Sequence, residues 1–282
     1  MLPTLPTLKE IIDKHGLFTR KSLGQHFLLD SSITDKIALY AGELQDYNVI
    51  EIGSGPGGLT RSLLAAGAKS LTVIEKDDRG IAVMEELAGQ WNDGRLKIIH
   101  GDALKVNLLE SIPAPRRIVA NLPYNVGTLL LLSWLDDIAA NGRAAYESMT
   151  LMFQDEVAQR IIAAPDTSEY GRLSVISQFL CECRYDFQLP PGAFFPPPKV
   201  HSAVITLIPR ATPLFPVSKN ALEKVVAAAF GQRRKMLRSA LKSLGVPVEE
   251  LLLRAEIDGT LRAEVLDVET FCRLAHIYEE MK

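Results

Sequence analysis

Cysteine is scarce, apolar runs are short and cationic charge is not in excess, and each absence removes a class of function. The three cysteines are Cys181 and Cys183, at strand-like spacing, and the remote Cys272. They make neither a disulfide framework nor a four-ligand zinc site. They read as buried free thiols, and no metal is expected. No segment approaches the roughly 18 uninterrupted apolar residues of a membrane span. The longest apolar patch, Leu129-Leu130-Leu131-Leu132, is soon followed by Ser133, Asp136 and Asp137. The opening residues, Met1-Leu2-Pro3-Thr4-Leu5-Pro6, carry no basic stretch leading into a secretory apolar run. A cytoplasmic protein without a membrane partner is expected. A net charge of −3 argues against a protein that coats nucleic acid, because overall positive charge supplies most non-specific affinity.

What is there is an ordinary globular balance, 47% hydrophobic and 23% charged, which makes disorder of most of the chain untenable. The 282 residues suffice for one large domain and a small one. Charge is patterned: Lys14, Arg20 and Lys21 occur without an acid between residues 14 and 29, and Arg233, Arg234, Lys235, Arg238 and Lys242 without one between 230 and 242.

Apolar runs of strand length at 48–52, 71–75, 96–100, 118–120 and 149–153 alternate with stretches of helical spacing such as 59–66 and 77–88. That alternation predicts a parallel sheet with helices on both faces. Two later alternating segments, 184–189 and 202–208, flank the Pro/Gly-rich turn 190–198 and read as a terminal strand pair, giving seven strands. The fold class is therefore α/β, a seven-stranded, mainly parallel Rossmann-like sheet of the kind used by adenosylmethionine methyltransferases. Beyond Pro209 the texture becomes helical, over 220–230, 233–244, 248–254 and 268–280. The expected domains are 1–210 and a small helical one, 211–282.

The first strand runs into Glu51-Ile52-Gly53-Ser54-Gly55-Pro56-Gly57-Gly58. Such glycines let a chain turn sharply and let a ligand approach where a Cβ would collide. With Glu75 ending the next strand, the pattern also meets the dinucleotide fingerprint. Both candidate cofactors carry a ribose, so Glu75 does not discriminate between them. A carboxylate at Glu51 repels a pyrophosphate and suits a cationic methionine moiety. Asp102, at the third strand end, can accept from an adenine amine or cap a turn.

The fourth strand end opens with Asn121-Leu122-Pro123-Tyr124-Asn125. An exocyclic amine on a base has its lone pair delocalised into the ring, so methylating it requires acceptors that hold both N–H bonds. Asn121 Oδ1 and the Leu122 carbonyl are the natural pair, because Pro123 fixes the turn and has no competing N–H. Tyr124 would stack on the base. Direct in-line transfer then needs positioning and charge stabilisation rather than a strong base.

The sequence resembles the rRNA adenine N6-dimethyltransferases, within them the bacterial small-subunit enzymes of the kasugamycin-sensitivity type. The matching segments span nearly the whole chain. They are Lys21-Ser22-Leu23-Gly24-Gln25-His26-Phe27-Leu28, with His26 where Asn is commoner, the Gly53 loop, the Asn121 box, Tyr170-Gly171-Arg172-Leu173-Ser174-Val175, Phe194-Phe195-Pro196-Pro197-Pro198-Lys199-Val200-His201-Ser202-Ala203-Val204 and Phe230-Gly231-Gln232-Arg233-Arg234-Lys235-Met236-Leu237. The resemblance implies S-adenosyl-L-methionine as cofactor, with contacts at Gln25, His26, Leu28, Gly53, Glu75, Asp102 and Asn121, joined by Glu51 and Gly55 from the loop. It implies dimethylation of two adjacent adenosines in the 3′-terminal hairpin of 16S rRNA in the assembling 30S subunit. On the proline-rich loop, Phe194 could form the second face of a sandwich with Tyr124 around a flipped adenine, or plug the core beneath it. Arg20, Lys21, Arg233, Arg234, Lys235 and Arg238 are the expected RNA contacts, the last four on a basic helix. A monomer is expected. The alternatives are a 23S rRNA dimethyltransferase of the macrolide-resistance type, a DNA or protein-glutamine amino-methyltransferase, an NAD-dependent dehydrogenase, and a non-catalytic ribosome assembly factor.

Overall fold

A computed structural model describes residues 5–17, 26–212 and 214–282. The chain divides into two compact units, Met1–Ala158 with Arg184–Pro209, and Gln159–Cys183 with Arg210–Lys282.

The first unit is built on strands β1 (Phe27–Leu28), β2 (Asn48–Ile52), β3 (Ser70–Glu75), β4 (Leu96–His100), β5 (Arg116–Asn121), β6 (Ser148–Gln154), β7 (Cys181–Leu189), β8 (Phe194–Phe195) and β9 (Ser202–Pro209). Seven of them form one sheet in the order β4-β3-β2-β5-β6-β9-β7, while β1 and β8 pair separately. β2 is parallel to both β3 and β5, β3 to β4 and β5 to β6, whereas β9 runs antiparallel to β6. The central strands β2 and β3 are buried along their whole length, as expected of strands covered on both faces, while edge strand β4 is not.

The helices of this unit are α1 (Leu8–His15), α2 (Ser31–Tyr40), α3 (Gly58–Ala65), α4 (Asp78–Trp91), α5 (Leu108–Ser111) and α6 (Gly127–Asn141), with α7 (Asp155–Ile162) leading out of it. α6 shows why they form: Leu130, Leu131, Trp134, Leu135 and Ile138 recur at helical spacing and are buried. On the same helix Asp137 accepts a hydrogen bond from the hydroxyl of the fully buried Tyr146. Asp77 caps α4 by accepting from the Arg79 N–H, so this helix starts at the carboxyl end of β3. Chain order reverses between β2 and β5: β3 and β4 extend the sheet on one side, β5 and β6 on the other. A crevice beyond the carboxyl ends of the strands at such a switch point is where open α/β sheets bind ligands.

The second unit comprises α8 (Arg172–Leu180), α9 (Lys219–Gly231), α10 (Leu237–Ala240), α11 (Val248–Arg254) and α12 (Val268–Glu280). Its core holds an aromatic chain, Tyr170 edge-on to Phe230 at 6.0 Å and Phe230 against Phe271 at 5.6 Å. A single cut near residue 210 does not describe this division, because residues 159–183 belong with the C-terminal helices. Tyr170 is part of their core, Asp166 N–H donates to the Glu264 carbonyl at 2.7 Å, and Arg233 Nη2 to the Thr167 carbonyl at 3.1 Å. Cys181 and Cys272 are buried thiols, the latter pushed up to about 12 by burial.

Candidate active site

Four successive strand ends converge on one pocket. Its wall includes Glu51 and Gly53 at the end of β2, Glu75 at the end of β3, Asp102 just beyond β4, and Asn121 and Tyr124 at and beyond the end of β5. The turn after β2 is closed by Gly57 N–H donating to the Ser54 carbonyl at 2.9 Å, with Gly53, Gly55 and Gly57 at φ of 71°, 52° and 87°. These are left-handed values that side chains disfavour. At Gly55 there is a second reason: a Cβ would lie 2.8 Å from the ring of Phe27, which packs down on the loop. His26, Phe27 and Leu28 thus roof the glycine turn and line the pocket with it.

The carboxyl groups differ in state. Glu75 is buried, and its Oε1 accepts from the backbone N–H groups of Lys76 at 2.8 Å and Asp77 at 2.9 Å. Its Oε2 takes longer contacts of 3.3 Å each from Ser54 Oγ and Gly55 N–H. Asp102 accepts from Lys76 Nζ at 3.0 Å and Leu104 N–H at 3.1 Å. The Lys76 bond, then the backbone one, holds this carboxyl below its ordinary range, so Asp102 both caps its turn and keeps its charge. Glu51 is the exception: burial, with a smaller contribution from Glu75 nearby, pushes its carboxyl up to about 8 despite a 2.7 Å hydrogen bond from Thr60 Oγ1. It is therefore protonated at neutral pH. The repulsion of a pyrophosphate expected from Glu51 is weakened accordingly, and Asp102, whose carboxyl Lys76 holds below its ordinary range, carries charge at this end of the sheet.

The Asn121 amide has a defined orientation. Its Nδ2 donates to the His26 carbonyl at 3.1 Å, and since a carbonyl only accepts, Oδ1 is turned the other way, an acceptor with no donor among the described residues. The turn that starts α6 takes its bonds from the Pro123 carbonyl, to Val126 N–H at 3.1 Å and Gly127 N–H at 2.9 Å, rather than from that of Leu122. Tyr124 is held at both ends, its hydroxyl sharing a 2.5 Å hydrogen bond with Ser202 Oγ and its ring stacked on His26 at 5.3 Å and 30°. Burial pushes the Tyr124 hydroxyl above its ordinary range, so the phenol stays neutral.

The sequence profile of the ribosomal RNA adenine dimethylases matches residues 17–280. The chain belongs to this family. Similar family proteins include ribosomal RNA small subunit methyltransferase A of Paramagnetospirillum magneticum, 55% identical over 271 residues (96% of this chain, 94% of that one). The protein of the same description from a Jannaschia species is 50% identical over 277 residues (98% and 95%). Among solved structures, a dimethyladenosine transferase from Plasmodium falciparum matches with TM-score 0.77 at 25% identity, covering 91% of this chain and 98% of its own. The 23S rRNA methyltransferase ErmE matches with TM-score 0.67 at 27% identity, covering 90% and 99%.

The expected dimethylase residues are not all where the sequence put them. Gln25, Arg20 and Lys21 lie outside the described residues. Phe194 is 4% exposed and belongs to the hydrophobic core with Phe27, Leu28 and Val119. Of the two expectations for Phe194 its burial fits the core plug, and the ring found on Tyr124 is His26. In the pairing of β1 with β8, Phe194 lies opposite Leu28 and is buried, while its neighbour Phe195 lies opposite Phe27 and is 51% exposed.

The expected basic helix is also corrected. α9 stops at Gly231, residues 232–235 form turns, Met236 bridges Arg262, and α10 begins at Leu237, where Leu237 N–H donates to the Leu261 carbonyl at 2.8 Å and Arg238 N–H to that of Gly259 at 3.0 Å. Arg233, Arg234 and Lys235 thus sit on a turn between helices, and Arg238 lies in α10. Arg233 is tied to Glu264 at 3.0 Å, while Arg234, Lys235 and Arg238 are exposed. The Met236–Arg262 bridge brings exposed Arg262 beside them, which local charge counting could not find because it is distant in sequence.

Proposed function

We propose that this protein uses S-adenosyl-L-methionine to dimethylate N6 of two adjacent adenosines in the 3′-terminal hairpin of 16S rRNA, as a cytoplasmic monomer acting on the assembling 30S subunit. The observation that carries the reading is the fixed Asn121 amide, whose Oδ1 is available as an acceptor at the end of β5. Oδ1 and the Leu122 carbonyl would hold the two N–H bonds of a flipped adenine and leave its nitrogen lone pair free. Tyr124, pinned by Ser202 and His26, would support the ring by stacking. When bound, the cofactor supplies an electrophilic methyl group on a sulfonium.

The donor set fits that cofactor. Ribose hydroxyls can share the Glu75 Oε2 that now takes only the two 3.3 Å contacts, and Asp102 can accept from the adenine amine. The glycine turn leaves room for the methionine moiety. In the second unit Arg234, Lys235, Arg238 and Arg262 form a cationic surface suited to rRNA phosphates.

The likeness to ErmE favours a 23S substrate as the second reading. Its 27% identity, against 50–55% for relatives described as small-subunit methyltransferases, places it behind. Labelled methyl transfer onto undermethylated 30S particles, 50S particles and naked rRNA, with the bases mapped, separates the two. Modification confined to adjacent 30S adenosines is expected, and label in 50S would reject this assignment. Asn121→Ala should abolish transfer while leaving the denaturation midpoint near that of wild type. Near-normal turnover of this variant would remove the proposed role of the amide.

A further inference from the structure

We infer that His26 is a positioning residue of the transfer reaction, setting the acceptor amide of Asn121 and the ring of Tyr124. This rests on the adenine-methylating reading above and assigns His26 to the substrate side of the pocket.

Three contacts converge on this one residue. Its backbone carbonyl accepts from Asn121 Nδ2 at 3.1 Å, which fixes where Oδ1 lies. Its ring Nδ1 lies 2.8 Å from the Pro196 carbonyl. A carbonyl only accepts, so Nδ1 carries the proton. Its ring covers one face of Tyr124 at 5.3 Å, leaving stacking to the other face. The anchor to Pro196 matters because the proline-rich loop is stiff, so the imidazole can hold its own backbone carbonyl against Asn121. His26 thereby joins the turn after β5 to the loop beyond β8.

The two functions of the ring can be separated by substitution. Asparagine places its Nδ2 near the position of the imidazole Nδ1 and can keep the bond to Pro196, but it has no ring to cover Tyr124. Phenylalanine keeps a ring and loses the bond. His26→Ala loses both.

The test measures kcat and KM for rRNA at saturating S-adenosylmethionine, with cofactor Kd by calorimetry, for the three variants and for His26→Ala combined with Tyr124→Ala. For His26→Ala we expect kcat at saturating cofactor to fall by about 10- to 100-fold, the scale of a misplaced reactive group, a larger factor than any rise in cofactor Kd. His26→Asn should recover part of the lost kcat. Once Tyr124 is already alanine, His26→Ala should cost appreciably less than in the wild type, because part of its effect passes through that ring. A cofactor Kd raised tenfold or more with kcat intact would overturn the inference and make His26 a cofactor contact alone. So would fully additive losses together with no rescue by asparagine.

A readout independent of activity is the imidazole tautomer, from ¹⁵N–¹H correlation spectra assigned with His26→Asn. A proton on Nδ1 supports the anchor, and a neutral ring protonated only on Nε2 would overturn it. If wild type methylates no RNA at all, the substrate reading fails, and the tautomer still decides the contact.

Discussion

Replacing Glu51 with glutamine should change how the stability of the first unit depends on pH. The carboxyl ordinarily titrates at 4.5, and burial in the fold pushes it up to about 8. Between those values the folded chain holds one proton more than the unfolded chain, so stability falls as pH rises, by about 1.4 kcal/mol per unit. The contribution is fully present below 4.5 and is lost as pH rises through the folded value near 8. From pH 6 to pH 8 this group alone should remove roughly 2 kcal/mol from the wild type. Glutamine does not titrate, and its amide oxygen can still accept from Thr60 Oγ1. Other groups titrate equally in both proteins and cancel in the difference. The two tryptophans, Trp91 and Trp134, both lie in the first unit, so urea denaturation followed by tryptophan fluorescence reports the part of the chain that contains Glu51. The variant should gain on the wild type steadily between pH 6 and 8. Parallel pH dependences for the two proteins would refute the reasoning, because Glu51 would then ionise alike folded and unfolded.

Gly80→Ala, which in most helices gains up to about 1 kcal/mol, should instead destabilise, because its Cβ would lie 2.8 Å from Glu75 Cγ. Glu75 is pinned by four donors and cannot move aside cheaply, so calorimetry should also show cofactor affinity reduced about tenfold or more. Phe194→Ala should cost about 3 kcal/mol or more in a urea titration, as a buried core ring, whereas Phe195→Ala should leave the midpoint near wild type. A small loss at Phe194 would restore it as a candidate stacking face. Arg234→Ala and Lys235→Ala should each lower the slope of log affinity for rRNA against log salt by about 1 without changing cofactor Kd. Arg233→Ala should alter the slope less, since Glu264 and Thr167 already hold its guanidinium.

Much of the fold could be read from the chain because strand and helix announce themselves by period. Each of the five parallel strands lies at or within two residues of its apolar run, and the pair after residue 181 closes the edge as alternation implied. The pocket was legible for a related reason. In a parallel sheet every strand delivers its last residues to the same side, so Glu51, Glu75, Asp102 and Asn121 meet without any need to know the packing of the helices. Glycine positions were legible where the turn needs left-handed backbone. The crowding of Gly55 against Phe27 was not, because it depends on a segment that folds back from far upstream.

Residue type was thus a better guide to location than to state, and the misreadings share that cause. Glu51 was read as a charge because carboxylates usually are, yet its state is set by burial that no local pattern displays. Phe194 was read as a stacking face or a core plug because its loop allows either. Successive strand residues face opposite sides, so one step along the chain separates buried Phe194 from exposed Phe195, and the sequence does not say which faces in. The basic run was read as one helix from spacing, but its first residues are turns and Met236 is captured by Arg262 in a bridge that spacing cannot express, so the helix starts only at Leu237. In each case the deciding partner is remote in sequence. Roles that depend on such partners, as His26 depends on Pro196 and Tyr124, are therefore the ones a single chain conceals until its ends are brought together.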